Sequence, residues 1–151
     1  MNAPLSPAPL AIAPIDDADV ETVVALWQRC GLTRPWNDPR ADIALARRRD
    51  NSTVLIGRDG GAIVATAMVG HDGHRGWVYY VAVDPDCRKR GYGRVIMAAA
   101  EDWLRQAGIA KLQLLVRREN AQANAFYQSL GFAESTSVMF AKWLDGRDPT
   151  P

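Results

Sequence analysis

The sequence predicts a mixed α/β fold, one sheet with helices on both sides. Three observations point there. Short apolar runs alternate along the chain with stretches whose apolar residues recur at helical spacing. Two β-rich runs, residues 52–58 and 62–69, flank Asp59-Gly60-Gly61, a strong hairpin signal. Residues 77–83 form an unbroken run of Trp, Val, Tyr and Ala without a charge, as expected of a strand buried on both faces at the sheet centre.

The elements follow in order. Residues 1–9 hold Pro4, Pro7 and Pro9 and read as a flexible tail, without the basic start and apolar core of a signal peptide. Residues 10–15 are a first strand, ended by Asp16, Asp17 and Asp19, which suit a helix start. Val20, Val23, Val24 and Trp27 mark that helix and Gly31 stops it. Pro35 and Pro39 bracket a loop, and a basic second helix with Ile43, Leu45 and Ala46 continues to Asp50. After the hairpin, residues 70–76 make a polar turn into the 77–83 strand, which Asp84-Pro85-Asp86 stops. A basic glycine turn then opens a helix to about Ala107, with Ile96, Ala99, Ala100 and Trp103 as its packing stripe. Residues 111–116 read as a strand, 120–130 as a helix with Ala123, Phe126, Tyr127 and Leu130 on one face, and 137–144 as a last strand, with a short extra strand near Phe132. The expectation is one domain over residues 10–144, followed by a polar tail, 145–151.

Composition narrows the function. A chain of 151 residues, 48% hydrophobic and 23% charged, is long enough for a single well-buried core. Lys and Arg total 18 against 17 Asp and Glu, a net charge of +1, so nothing in the overall electrostatics asks for a nucleic acid or an anionic membrane. No apolar run approaches the roughly 18 residues that span a bilayer. Cys30 and Cys87 form no metal-binding spacing; free thiols in a reducing cytoplasm, and no metal, are expected.

The most informative stretch is Arg88-Lys89-Arg90-Gly91-Tyr92-Gly93-Arg94, between an apolar strand and a helix. Helix-start N–H groups lack intrahelical partners, two glycines let a phosphate come close, and the side chains add positive charge. The pattern is neither GxxxxGK[ST] nor GxGxxG, since Ile96 stands where the latter needs glycine. Alone, the turn could equally be a solvated basic start to a helix.

Arg88-x-x-Gly91-x-Gly93 after an apolar strand is similar to the acyl-CoA signature of the Gcn5-related N-acetyltransferase (GNAT) family. Asn120, Ala125-Phe126-Tyr127 and Gly131-Phe132 resemble that family's second motif, and the likeness runs over residues 10–144. Arg34-Pro35-Trp36-Asn37-Asp38-Pro39 and Asp72-Gly73-His74-Arg75-Gly76 further resemble a bacterial branch, the YpeA type. The resemblance implies a mostly antiparallel sheet of six or seven strands with about four helices on its two faces. It also implies that the sheet splays between the parallel strands 77–83 and 111–116. Acetyl-CoA is then the co-substrate and an amine the acceptor, with a homodimer left open. The backbone of Val81 and Val83 would pair with the pantetheine, an N–H at Val81 or Ala82 would face the oxyanion if a bulge frees it, and the amides from Lys89 to Arg94 would hold the pyrophosphate. Asn120 and Tyr127 would line the thiol end, and Trp36, Asn37 and Asp38 the acceptor side.

Acyl transfer to an amine requires a neutral amine, a stabilised oxyanion and a proton for the leaving thiolate. Tyr127 is the candidate proton donor, with packing beside Phe126 and Leu130 the plainer alternative. Trp77 stands where many relatives have a glutamate base. Freeing a lysine amine at pH 7 without such a base costs about 4.6 kcal/mol, against about 1.1 kcal/mol for an α-amine. Asp38, Asp72 and His74 are the replacement candidates, although Asp72-Gly73-His74 also fits a plain turn and Asp38 a helix cap. Trp36 reads either as a substrate wall or as a buried plug, and Arg47-Arg48-Arg49 as a solvated helix face. Cys87 has basic neighbours but no partner base. The expected activity is direct acetyl transfer from acetyl-CoA to a primary amine. The rivals are a protein N-terminal acetyltransferase, a silent acyl-CoA sensor and a nucleic-acid module.

Overall fold

The computed structural model describes residues 10–148, which divide between Leu115 and Val116 into two compact units. The tail expected at residues 1–9 and the last residues of the C-terminal tail lie outside the described residues.

In the first unit, strand β1 (Ala11–Pro14) leads to a 3-10 turn over Asp17–Asp19. Reciprocal bonds cap this turn: the Asp16 carboxylate accepts from the Ala18 N–H and the Asp19 carboxylate from the Asp16 N–H. Helix α1 (Val20–Arg29) follows, with Val23, Val24, Leu26 and Trp27 buried. Helix α2 (Pro39–Ala46) has Asp38 as its N-cap and proline in its first turn. It ends before the expected Asp50. The Ser52 hydroxyl donates to the Ala46 carbonyl at 2.7 Å, closing the helix there, and the three arginines that follow lie outside it.

Strands β2 (Ser52–Asp59) and β3 (Ala62–His71) form the predicted hairpin, with Gly60 and Gly61 at φ of 58° and 93° as a primed turn requires. Strand β4 (Gly76–Val83) pairs antiparallel with β3, helix α3 (Tyr92–Gln106) crosses over, and β5 (Leu112–Gln113) pairs parallel with β4. The order is β1-β2-β3-β4-β5.

Alternation along these strands separates two packing faces. Val54 and Ile56 on β2 and Ala82 on β4 join Ile15, Trp27 and Ile43 in one buried cluster under α1 and α2. The opposite face meets α3, whose approach is close enough that a Cβ at Gly76 would lie 2.5 Å from the Leu104 Cδ1. The α3 stripe is Tyr92, Ile96, Met97, Ala100 and Leu104, rotated from the one expected: Trp103 and Ala99 are only half-buried.

Three strand expectations are corrected. The described sheet has five strands, not six or seven. Residues 137–144 and the neighbourhood of Phe132 form no strand, and Val138, Phe140 and Leu144 are exposed; β-propensity makes a strand only where a ladder partner exists, and these residues have none among the described ones. Strand β4 is neither central nor buried on both faces, because Tyr79 is 48% exposed.

In the second unit, helix α4 (Ala121–Ser129) is capped by Asn120, whose Oδ1 accepts from the Ala123 N–H at 3.0 Å. Gly131, at φ of 95°, ends it, and the Phe132 N–H closes back on the Tyr127 carbonyl. Among the described residues no helix is long and apolar enough to cross a membrane.

Candidate active site

The turn after β4 is built for exposed N–H groups. Asp84 caps a 3-10 turn over Pro85–Cys87, accepting from the Asp86 N–H. Arg88 is extended, and Lys89 and Gly91 adopt left-handed φ of 64° and 80°. Gly91 is the N-cap of α3 and supplies no side-chain cap; the first helical bond runs from the Val95 N–H to the Gly91 carbonyl. The N–H groups of Tyr92, Gly93 and Arg94 are therefore without helical acceptors. A Cβ at Gly91 would meet nothing within 4 Å, so the space beside the N-cap is open. The Tyr92 side chain is buried and donates its hydroxyl to Asp59, which anchors α3 to the hairpin. Arg90 lies 4.0 Å from the same carboxylate, while Arg88, Lys89 and Arg94 have no ion pair among the described residues. Cys30 donates its thiol to the Val83 carbonyl at 3.4 Å, and burial, partly offset by Arg88, keeps that thiol protonated.

Beside this turn the sheet opens. β4 and β5 share only two register pairs, Gly76 with Leu112 and Trp77 with Gln113. On its other side β4 pairs Tyr79 with Met68 and Ala82 with Thr66, so Tyr80 and Val81 together oppose Ala67 in a bulge. Neither of the two has a register partner on β3 or β5. Tyr80 takes φ of 50°, an unfavourable value for an aromatic residue. Several contacts hold it there. Its ring stacks on Trp27 at 3.8 Å, its hydroxyl donates to the Asp42 carboxylate at 2.7 Å, and its carbonyl accepts from the Thr66 hydroxyl at 2.9 Å. Thr66 is fully buried and accepts in turn from the Trp27 indole N–H at 2.9 Å. Burial and the Asp42 carboxylate push the Tyr80 phenol well above the usual tyrosine range, so it remains a donor.

Tyr79 and Tyr80, where the bulge begins, both line one cavity of about 570 Å³. Asn37 and Asp72, predicted from the sequence, line it too. Asp72 organises the 72–75 turn: its carboxylate accepts from the His74 and Arg75 N–H groups, and the Trp77 indole N–H approaches at 3.4 Å. Those backbone bonds, Arg75 first, hold its pKa below the ordinary carboxylate value. His74 is exposed on the same turn and does not line the cavity. Asp38 is taken up in capping α2 through the Arg40 and Ala41 N–H groups, and Trp36, 41% exposed, is not the buried plug. Among the cavity residues that escaped the sequence reading are Asp42 on α2 and His71 at the end of β3.

In the second unit Tyr127 is half-buried, edge-on to Phe126 and Phe132 at centroid distances of 5.0 and 5.9 Å. Its hydroxyl makes no hydrogen bond among the described residues, and burial pushes its pKa up. Asn120 spends its side-chain oxygen on the helix cap.

The model of the Acetyltransferase (GNAT) family matches residues 20–132. The chain belongs to the GNAT family. An acetyltransferase of Yersinia enterocolitica is 37% identical over 135 residues, 89% of this chain and 96% of the relative. An uncharacterized N-acetyltransferase of Yersinia pestis is 38% identical over 126 residues, 83% of this chain and 89% of the relative. Among solved structures, the ribosomal-protein-S18-alanine N-acetyltransferase of Escherichia coli superposes with a TM-score of 0.72 at 28% identity, covering 84% of this chain and 79% of that one. The aminoglycoside acetyltransferase AAC(6')-Iy, bound to a bisubstrate analogue, has the same fold with a TM-score of 0.76 at 21% identity, over 90% of this chain and 99% of that one. The protein is thus an acetyltransferase of GNAT type. In this GNAT enzyme the first unit presents three kinds of group together: main-chain donors at a basic turn, a strand edge without a ladder partner, and an aromatic cavity with fixed carboxylates.

Proposed function

We propose that the protein transfers an acetyl group from acetyl-CoA to a primary amine by direct attack, without an acyl-enzyme. The observation that supports this best is the free edge of β4, ending at the basic turn with its unpartnered N–H groups. A diphosphate suits the amides of Tyr92, Gly93 and Arg94 with the side chains of Arg88, Lys89 and Arg94, because anions gain from both the helix start and the full charges. The amide groups of a pantetheine arm suit the backbone at Val81 and Val83, on the part of β4 that β5 does not pair, as an added strand would.

The amine nitrogen forms its bond to the thioester carbon as the carbon–sulfur bond breaks; the nitrogen gives up a proton and the departing thiolate takes one. The bulge N–H at Val81 is suited to the oxyanion, a role worth about 10²–10³ in rate for a single donor, while Ala82 stays in register with Thr66. Tyr127, protonated at neutral pH, is the proposed donor to the sulfur. The depressed pKa of Asp72 makes it a weak base and a good counter-ion for an ammonium. His74 is the base proposed for the departing proton, acting through water because it stands on an exposed turn.

A second reading, acetylation of a protein's N-terminal amine, is favoured by the 28% identity to the ribosomal-protein-S18-alanine enzyme. The α-amine is also the acceptor that needs least help in losing its proton. Titration calorimetry with coenzyme A, followed by thiol release from acetyl-CoA across a panel of amines, tests the proposal. Binding with turnover on at least one amine is expected, and no heat with coenzyme A would sink it.

A further inference from the structure

The cavity beside the β4 bulge has a charge pattern that narrows the acceptor. Two carboxylates line it, Asp42 and Asp72, and no lysine or arginine does. Neither carboxylate is free to swing away: Asp42 is bound by the Tyr80 hydroxyl, and Asp72 by two backbone N–H groups and the Trp77 indole. His71 also lines the cavity, with its Nδ1 accepting from the Gly73 N–H. Trp77, Tyr79 and Tyr80 give the cavity an aromatic wall. A cation is attracted both by such ring faces and by the charges beyond them.

The reacting nitrogen must lose its charge before it attacks, so a simple monoamine leaves both carboxylates unmatched at the moment of reaction. We propose that the acceptor is a small diamine with an apolar or aromatic body, one nitrogen reacting and the other held as an ammonium by Asp42 and Asp72 against the aromatic wall. This deepens the proposed function and rests on it. The second charge also assists the chemistry. The ammonium offsets the two carboxylates, which would otherwise raise the pKa of the reacting amine. The same wall disfavours acceptors that bear a carboxylate or phosphate, since an anion there would face two fixed negative charges with no cation to offset them.

Three acceptors with one body test this: 4-(aminomethyl)benzylamine, benzylamine and 4-(aminomethyl)benzoate share the ring and the reacting arm and differ only in a distal cation, neutral hydrogen or anion. With kcat/KM expressed per neutral reacting amine, the diamine is expected to exceed benzylamine by about tenfold, and benzylamine to exceed the benzoate by a similar factor. Asp42→Asn and Asp72→Asn should each narrow the diamine-to-benzylamine ratio while leaving the KM for acetyl-CoA in place. Calorimetry of the three compounds on the coenzyme A complex gives the same order without turnover. A diamine preference below about threefold, a benzoate turned over as well as benzylamine, or a peptide α-amine preferred to the diamine overturns the inference and leaves the acetyltransferase reading intact. Failure to bind coenzyme A overturns both.

Discussion

Thr66→Val removes the hydroxyl that ties the β4 bulge to the core. Valine has nearly the same shape, so packing is kept and the loss is confined to two hydrogen bonds: Trp27 indole to Thr66, and Thr66 to the Tyr80 carbonyl. Trp27 and Thr66 are both fully buried, so water cannot replace the partner of the indole N–H. An orphaned buried group costs about 1–3 kcal/mol, and the half-buried Tyr80 carbonyl adds less, so the expected loss is about 2–4 kcal/mol. In a domain of this size that lowers Tm by about 5–15 °C. The kinetic effect should be larger in kcat than in KM. With Tyr80 held less firmly at its left-handed φ, the N–H groups of the bulge are aligned only part of the time, and kcat should fall about 10- to 100-fold. Two further variants separate the causes. Thr66→Ser keeps the hydroxyl and should keep kcat within about threefold, while losing about 1 kcal/mol of stability with its methyl group. Trp27→Phe removes the donor to Thr66 but leaves the Thr66–Tyr80 bond and a ring to stack on Tyr80, so it should lower Tm with little change in kcat. Thermal unfolding by circular dichroism and steady-state thiol release give both quantities. A Thr66→Val enzyme that is less stable but turns over at the wild-type rate would refute the idea that the bulge is held in place for catalysis.

Other variants probe the remaining parts. Tyr127→Phe should reduce kcat by about 10²-fold and leave coenzyme A affinity within a factor of two or so. Because burial raises the Tyr127 pKa, the folded state favours the protonated phenol; its contribution is complete below the ordinary tyrosine pKa and is lost only as pH rises through the higher folded value. Ultraviolet difference titration should therefore find this tyrosine still protonated where exposed tyrosines ionise, and the kcat profile should have no limb from it at neutral pH. Gly91→Ala imposes a left-handed φ on a residue with a Cβ, at a cost of about 1 kcal/mol, and should weaken coenzyme A binding in calorimetry more than it weakens acceptor KM. Gly76→Ala drives a Cβ into the Leu104 side chain and should destabilise by about 1–3 kcal/mol. Adding Leu104→Ala should recover part of this, and fully additive unfolding energies would contradict the close approach.

The sequence made some parts of this molecule readable and hid others for physical reasons. The hairpin was legible because Gly60 and Gly61 are the residues a primed turn demands, and α1 because Val23, Val24 and Trp27 repeat at helical spacing. The basic turn was legible because Gly91 marks a left-handed residue at a helix start. The last strand was not, since residues 137–144 have the composition of a strand but composition says nothing of a partner. The end of α2 was missed because the group that closes it, the Ser52 hydroxyl, belongs to the next strand.

The bulge was hidden for a more interesting reason. Reading β4 by alternation sets one residue against each residue of β3, whereas Tyr80 and Val81 together oppose Ala67. No property of β4 itself announces that insertion. The signal lies on the neighbouring strand, where Thr66 interrupts an otherwise apolar run and sits with no exposed surface. A buried hydroxyl must find a donor and an acceptor, and here it finds a tryptophan from α1 and a carbonyl that has left the ladder. Thr66 thus links the interior to the site: it is buried beside Trp27, and its bond to the Tyr80 carbonyl helps fix the conformation that turns this stretch of the sheet toward chemistry. On this argument a polar residue isolated within a buried strand is the place to look, in a sequence of this kind, for irregular backbone on the strand beside it.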